Sequence, residues 1–211
     1  MTVVQHIVFI LAVTFCLTFL SGGQALAQHQ ELQGYWAETQ IGYWLEKGVI
    51  KGYPDGSFAP DKYITRAEFI TMTNNIFSLQ GQQEVSFSDV SAGDWFYGEV
   101  AKATAAGYLT GYKDNTVRPK QWITREEVAV LLCRLSKLNT DGSNAPASSF
   151  LDAADISSWA NPGIATAVQY RLMNGYPDGT FRPQDFATRA EALVALDKVF
   201  WYINPVLITP M

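Results

Sequence analysis

The chain has 211 residues, 48% of them hydrophobic and 17% charged, a balance that suits one or two globular domains and excludes a disordered chain. Its net charge of -5, with no cluster of lysine and arginine, excludes a nucleic-acid binder, because phosphates demand a basic face. Beyond residue 27 only one cysteine, Cys133, and one histidine, His29, remain. An intramolecular disulfide, a Ser-His-Asp triad, a Cys-His pair and a histidine-built metal site are therefore excluded, and no cofactor, metal or catalytic residue is expected.

Taken in order, residues 1–27 carry no charged side chain apart from His6, run apolar from Ile7 to Leu20, and close on Ala25-Leu26-Ala27. This is the pattern of a secretory signal cut after Ala27. The missing Lys or Arg near Met1 leaves an uncleaved membrane anchor as the alternative. A lipid anchor is disfavoured, since Cys16 lies inside the apolar run.

The rest of the chain repeats itself. Trp36, Trp95 and Trp159 each stand 30 residues before Arg66, Arg125 and Arg189, and Gly52, Gly111 and Gly175 each stand 16 after the Trp. Three copies of one supersecondary unit are expected at 32–80, 87–138 and 150–202, with a linker at 139–149 and an apolar tail at 203–211. That tail is too short to span a bilayer.

In each copy a first helix follows the Trp, with i, i+3, i+4 apolar faces at Ile41, Trp44, Leu45, at Val100, Ala103, Thr104, and at Ile164, Ala167, Val168. Gly48 and Gly107 stand where a left-handed C-cap would end it. The matching residue of the third copy is Arg171, where that conformation costs roughly 1 kcal/mol, so a different helix end is expected. A turn follows: Gly52-Tyr53-Pro54-Asp55-Gly56, Gly111-Tyr112-Lys113-Asp114-Asn115 and Gly175-Tyr176-Pro177-Asp178-Gly179. One Asp per turn is too few for a calcium loop.

The second helix opens on Thr65-Arg66-Ala67-Glu68, Thr124-Arg125-Glu126-Glu127 or Thr188-Arg189-Ala190-Glu191. Thr with Glu three residues later, ahead of an apolar run, is a capping box. Its expected buried face is Phe69, Ile70, Thr73, Ile76 and Phe77 in the first copy. Val128, Ala129, Leu132 and Leu135 form it in the second, and Ala192, Leu193, Leu196, Val199 and Phe200 in the third. Cys133 falls in such a run and reads as a small buried hydrophobe. The arginine is the odd member, because a cation in the first turn opposes the helix dipole by a few tenths of a kcal/mol, up to ~1. Two readings stand: each Arg, beside free helix-terminal N–H groups, forms an anion site, or each pairs with a carboxylate of the neighbouring repeat.

With the Trp, the Gly-Tyr-Pro-Asp-Gly turn and Ile-Thr-Arg-Ala-Glu in place, the chain resembles the S-layer homology (SLH) family in three tandem copies, over residues 32 to 202. The resemblance implies an all-α fold: three helix-loop-helix repeats in a pseudo-threefold module with a central three-helix bundle and grooves between neighbouring repeats. It implies a secreted protein of the cell wall or bacterial envelope that binds secondary polysaccharide, typically with pyruvate ketals on N-acetylmannosamine. Protein cargo or self-association is a possible addition. Carried over by position, Arg66, Arg125 and Arg189 would hold the pyruvyl carboxylate. Trp36, Trp95 and Trp159 would lie against the sugar, unless they plug the core. Asp89 and Asp152 would accept sugar hydroxyls or cap the first helix. Gly52, Gly111 and Gly175 would let backbone N–H groups approach.

The first copy lacks that aspartate, with Gln30 and Glu31 near its place, and the second places Glu126 beside Arg125, where it would compete with an anion. Two alternatives to a polysaccharide binder are a structural tether, self-assembling or bound to peptidoglycan, and a wall glycosidase built on Asp89 and Asp152.

Overall fold

The computed structural model describes residues 30–140 and 147–205, and the expected signal, most of the linker and the end of the tail lie outside them. The all-α expectation holds: the described residues are helical, with only isolated bridges of extended backbone. The chain divides into two compact units, Met1–Pro60 and Asp61–Met211, a boundary that falls inside the first repeat.

The first unit contains α1 (Glu38–Glu46), which buries Ile41 and Trp44. Gly48, at φ +66, ends it in the left-handed conformation expected of a C-cap. The turn that follows closes through a 2.7 Å bond from the Tyr53 amide to the Ser57 carbonyl, with Asp55 accepting from the Ser57 amide and hydroxyl. Phe58 then enters the core completely.

The second unit contains α2 (Arg66–Ile76), α3 (Tyr97–Ala105), α4 (Arg125–Leu135), α5 (Asn161–Gln169) and α6 (Arg189–Ile203). α2 packs on α3, α4 on α5, and α6 on both α2 and α4. Most of the predicted faces meet in this core: Phe69, Ile70, Thr73 and Ile76 of α2, Val128, Ala129 and Leu132 of α4, and Ala192, Leu193, Leu196 and Val199 of α6 are buried, whereas Phe77, Leu135 and Phe200, expected with them, are only half-buried. Each fully buried Leu, Ile or Phe stabilises the fold by about 1.5–3 kcal/mol through surface removed from water. Cys133 is among them, and burial pushes its thiol pKa up to about 11. Gly107 ends α3 at φ +79, and Arg171 after α5 keeps the same conformation at φ +57. The third copy therefore accepts the strain instead of ending its helix differently, and the 2.8 Å bond from the Leu172 amide to the Ala167 carbonyl closes that end.

All three capping boxes form: Thr65, Thr124 and Thr188 accept from the amides of Glu68, Glu127 and Glu191, whose carboxylates accept the threonine amides in return. The segments leading into these helices are tied together in a ring. The Ile64 amide donates to the Ala187 carbonyl, the Ala187 amide to Ile123, and the Ile123 amide to Ile64, at 3.1, 2.9 and 3.1 Å. Beside this ring the side chains of Tyr63, Trp122 and Phe186, one per repeat, meet with ring centroids 5.2–5.6 Å apart and remain 38–49% exposed.

Candidate functional site

The ring of pre-helix segments decides what the helix N-termini can do. The Arg66 amide donates to the Gln121 carbonyl and the Ala67 amide to Pro119; Arg125 donates to Asp185 and Glu126 to Pro183; Arg189 donates to Lys62. The third helical amide of each is taken by its capping threonine. In α2 and α4 the first-turn amides that the sequence leaves free for an anion are thus spent on neighbouring repeats, which leaves the guanidinium groups of Arg66 and Arg125 to meet a ligand.

The arginine side chains are buried, at 6% exposure for Arg66, 4% for Arg125 and 6% for Arg189. Each lies near the capping-box glutamate of another repeat: Arg66 with Glu127 at 3.2 Å, Arg125 with Glu191 at 3.2 Å and Arg189 with Glu68 at 3.9 Å. The neighbour-pairing reading is therefore realised in the fold. Arg66 Nε also donates to the Val117 carbonyl at 2.7 Å. Arg125 gives Nε to Phe181 at 2.9 Å and Nη2 to Asn174 at 3.1 Å. A guanidinium has five N–H groups, so donors are left on both.

Under these arginines lie the turn tyrosines. Arg66 and Arg118 both sit over the Tyr112 ring, at 4.7 and 4.0 Å, and Arg125 and Arg182 over Tyr176, at 4.5 and 4.1 Å. The tyrosine hydroxyls donate to Glu127 and Glu191. Burial, reinforced by that carboxylate and opposed by Arg125, pushes the Tyr176 pKa up to about 12, and burial raises Tyr112 as well. Asp114 and Asp178 accept from Thr116 and Thr180 and pair with Arg118 and Arg182 at 3.0 and 2.7 Å. The Thr180 hydroxyl and then Arg182 hold the Asp178 pKa down at about 2.

The aspartates of the Phe-x-Asp motif hold the turn that carries Arg118 or Arg182. Asp89 accepts from the Val117 and Arg118 amides at 2.9 and 2.7 Å, and Asp152 from Phe181 and Arg182 at 2.8 and 2.7 Å. Arg118 and Arg182 sit at φ +53 and +56, a strained conformation that the carboxylate clamp stabilises. Neither aspartate caps a first helix: Ala37, Phe96 and Ala160 at those N-caps have no side-chain hydrogen bond. The first copy does have a counterpart, because Glu31 accepts from Phe58 and Ala59 at 2.7 and 2.9 Å with Ala59 at φ +53. Its longer side chain reaches what Asp89 and Asp152 reach in the other copies.

Glu126 does not lie in wait for an anion. It is 3% exposed and accepts from the amide and hydroxyl of Ser157, at 3.1 and 2.9 Å, joining the second repeat to the third. Gly111 and Gly175 have a packing reason of their own: a Cβ there would come within 2.4 and 2.3 Å of the Phe87 and Phe150 rings.

Trp36, Trp95 and Trp159 are 58%, 65% and 54% exposed, so none is a core plug. In the second unit Trp159 shares a groove with an arginine. A groove of about 500 Å³ is lined by Arg66, Gly111, Tyr112, Glu127 and Trp159, with Val130 and Leu131 as apolar floor and Lys113, Asp114, Arg118 and Arg134 around them. One residue comes from the first repeat, one from the third and the rest from the second. The tyrosines, the capping-box glutamates, Glu31 and Arg134 are not among the sequence-predicted site residues. The tyrosine had a signal in the sequence, one position after the glycine in every copy.

A repeat-built helical module with an aromatic and cationic groove is the class these features define. Comparison with known proteins narrows it: the S-layer homology domain family matches residues 32–70, 86–129 and 149–193, and the chain belongs to that family. It is 33% identical over 165 residues to an amylopullulanase of Thermoanaerobacterium thermosulfurigenes, covering 77% of this chain and 9% of the enzyme. To the S-layer protein sap of Bacillus anthracis it is 33% identical, over 79% of this chain and 20% of that protein. To a cellulosome-anchoring protein of Acetivibrio thermocellus the identity is 31%, over 71% and 34%. The chain thus spans about a third or less of these relatives' lengths. With S-layer and cell-surface proteins as its kin, it is a protein of the cell wall or cell surface.

Proposed function

We propose that the chain is a non-catalytic binding module that holds acidic secondary polysaccharide of the bacterial cell wall, of the pyruvylated N-acetylmannosamine type, and so anchors itself or a bound partner there. The observation that carries this reading is the groove in which the exposed indole of Trp159, the remaining donors of Arg66 and Gly111 converge. A sugar offers an apolar face for the indole, and a ketal carboxylate offers an anion for guanidinium. By matching repeat position, Arg125 and Arg189, Trp36 and Trp95, and Gly52 and Gly175 take the same roles elsewhere. Linked weak sites on a repeating polymer raise avidity by ~10²–10⁴. One relative is by name a cellulosome-anchoring protein, which supports protein cargo as the partner. A glycosidase on Asp89 and Asp152 is disfavoured, because both carboxylates are already held by two backbone amides.

Co-sedimentation of the chain with purified walls tests the reading. Binding that falls when pyruvyl groups are removed supports it, and unchanged binding refutes it. Full retention on walls stripped of secondary polymer would point instead to direct tethering on peptidoglycan.

A further inference from the structure

Within the groove lined by Trp159, we propose that the ligand's anion is received by Arg134 and Lys113, making this the most anion-selective site of the chain. The inference rests on the acidic-glycan reading and names the residues that set its selectivity. Four cations line the groove against two carboxylates, in a chain whose net charge is -5. Two of those cations are already neutralised, Arg66 by Glu127 and Arg118 by Asp114. The uncompensated charge belongs to the other two. Arg134 donates to the neutral hydroxyl of Thr110 at 2.9 Å and has no carboxylate partner among the described residues. Desolvation alone lowers its pKa, as expected of a guanidinium with no anion beside it. Lys113 is exposed and likewise unpaired among the described residues.

A cation in the last turn of α4 also complements the helix dipole, but that accounts for neither Lys113 nor the placement of both on one groove. The pair is particular to the second repeat: the positions matching Lys113 are Pro54 and Pro177, and those matching Arg134 are Asn75 and Lys198. A concave site with uncompensated positive charge draws anions and rejects neutral isosteres. Arg66, buried and already bonded, fixes Tyr112 and Glu127 in the wall and adds its spare donors to the anion that Arg134 and Lys113 receive.

The test is calorimetric titration of the full chain with three probes: a methyl glycoside of pyruvylated N-acetylmannosamine, the same glycoside without pyruvate, and a phosphate ester of N-acetylmannosamine. The variants are Arg134→Gln, Lys113→Gln, the double variant and Arg134→Lys, with circular dichroism confirming that each is folded. Losing charge-assisted bonds predicts about a tenfold or greater weakening for the pyruvylated probe in the double variant. The salt dependence should flatten, affinity for the neutral sugar should not change, and Arg134→Lys should recover part of the loss. If the parent binds the pyruvylated probe and the double variant matches it in affinity and salt dependence, Arg134 and Lys113 are not the anion's ligands, while the glycan reading stands. If the parent binds neither acidic probe, both fall. A preference for the phosphate ester that the double variant loses keeps the two residues as ligands and moves the anion's source from ketal to phosphate.

Discussion

Replacing Arg125 with methionine separates a fold-holding arginine from one that serves only a ligand. The side chain is 5% exposed and spends its donors on the Phe181 and Asn174 carbonyls and on Glu191. Methionine refills most of the volume but strands those acceptors. Removing one partner of a buried pair costs about 3–5 kcal/mol. Glu191 keeps the Tyr176 hydroxyl and the Thr188 amide and is 19% exposed, so the low end, about 3 kcal/mol, applies. At about 2–4 °C per kcal/mol for a chain of this size, the melting temperature should fall by roughly 6–12 °C. Urea unfolding followed by tryptophan fluorescence should show a lower midpoint with an unchanged slope. Arg125→Lys should lose about half as much, since a single ammonium cannot serve both carbonyls. A loss under about 1 kcal/mol for Arg125→Met would refute the structural role.

Three further outcomes follow from the same geometry. Asp152→Ala removes the acceptor of two backbone amides and should cost about 2 kcal/mol in urea unfolding, whereas Asp152→Asn, which keeps one acceptor, should cost less. Arg171→Gly relieves a left-handed residue and should stabilise by up to about 1 kcal/mol, seen as a higher melting temperature. Tyr176 titrates from 10.0 when unfolded up to about 12 when folded, so its stabilising contribution is complete below pH 10 and is lost as pH rises toward 12. Burial raises Tyr108 and Tyr112 as well, so tyrosinate absorbance should show one fewer late-titrating group in Tyr176→Phe than in the parent.

The helices, their capping boxes and their buried faces were legible because each depends on spacing within one short stretch. Partners that join distant stretches were not. Nothing local says that the Arg66 amide ends on Gln121 or that Glu126 ends on Ser157, 31 residues on. Free amides at the N-termini of α2 and α4 were not available for the same reason: a count within one helix leaves them open, and the neighbouring repeat uses them, while the arginine side chains keep donors to spare. At Arg171 packing beyond the turn outweighs the local cost. A penalty near 1 kcal/mol looks prohibitive for an isolated turn but is small against the burial of Leu172 and Met173 just beyond it. Exposure of Trp36, Trp95 and Trp159 was equally beyond local reading, since a tryptophan before a helix fits a core as well as a surface.

The three amides and carbonyls of Ile64, Ala187 and Ile123 form a circle with no free terminus. Excising the stretch around any one of them would open the circle and orphan a donor on one survivor and an acceptor on the other. These three stretches therefore behave less like beads on a string, where two can persist without a third, than like the links of a closed clasp. A fragment holding only two of these stretches is expected to be unstable even though each helix carries its own cap.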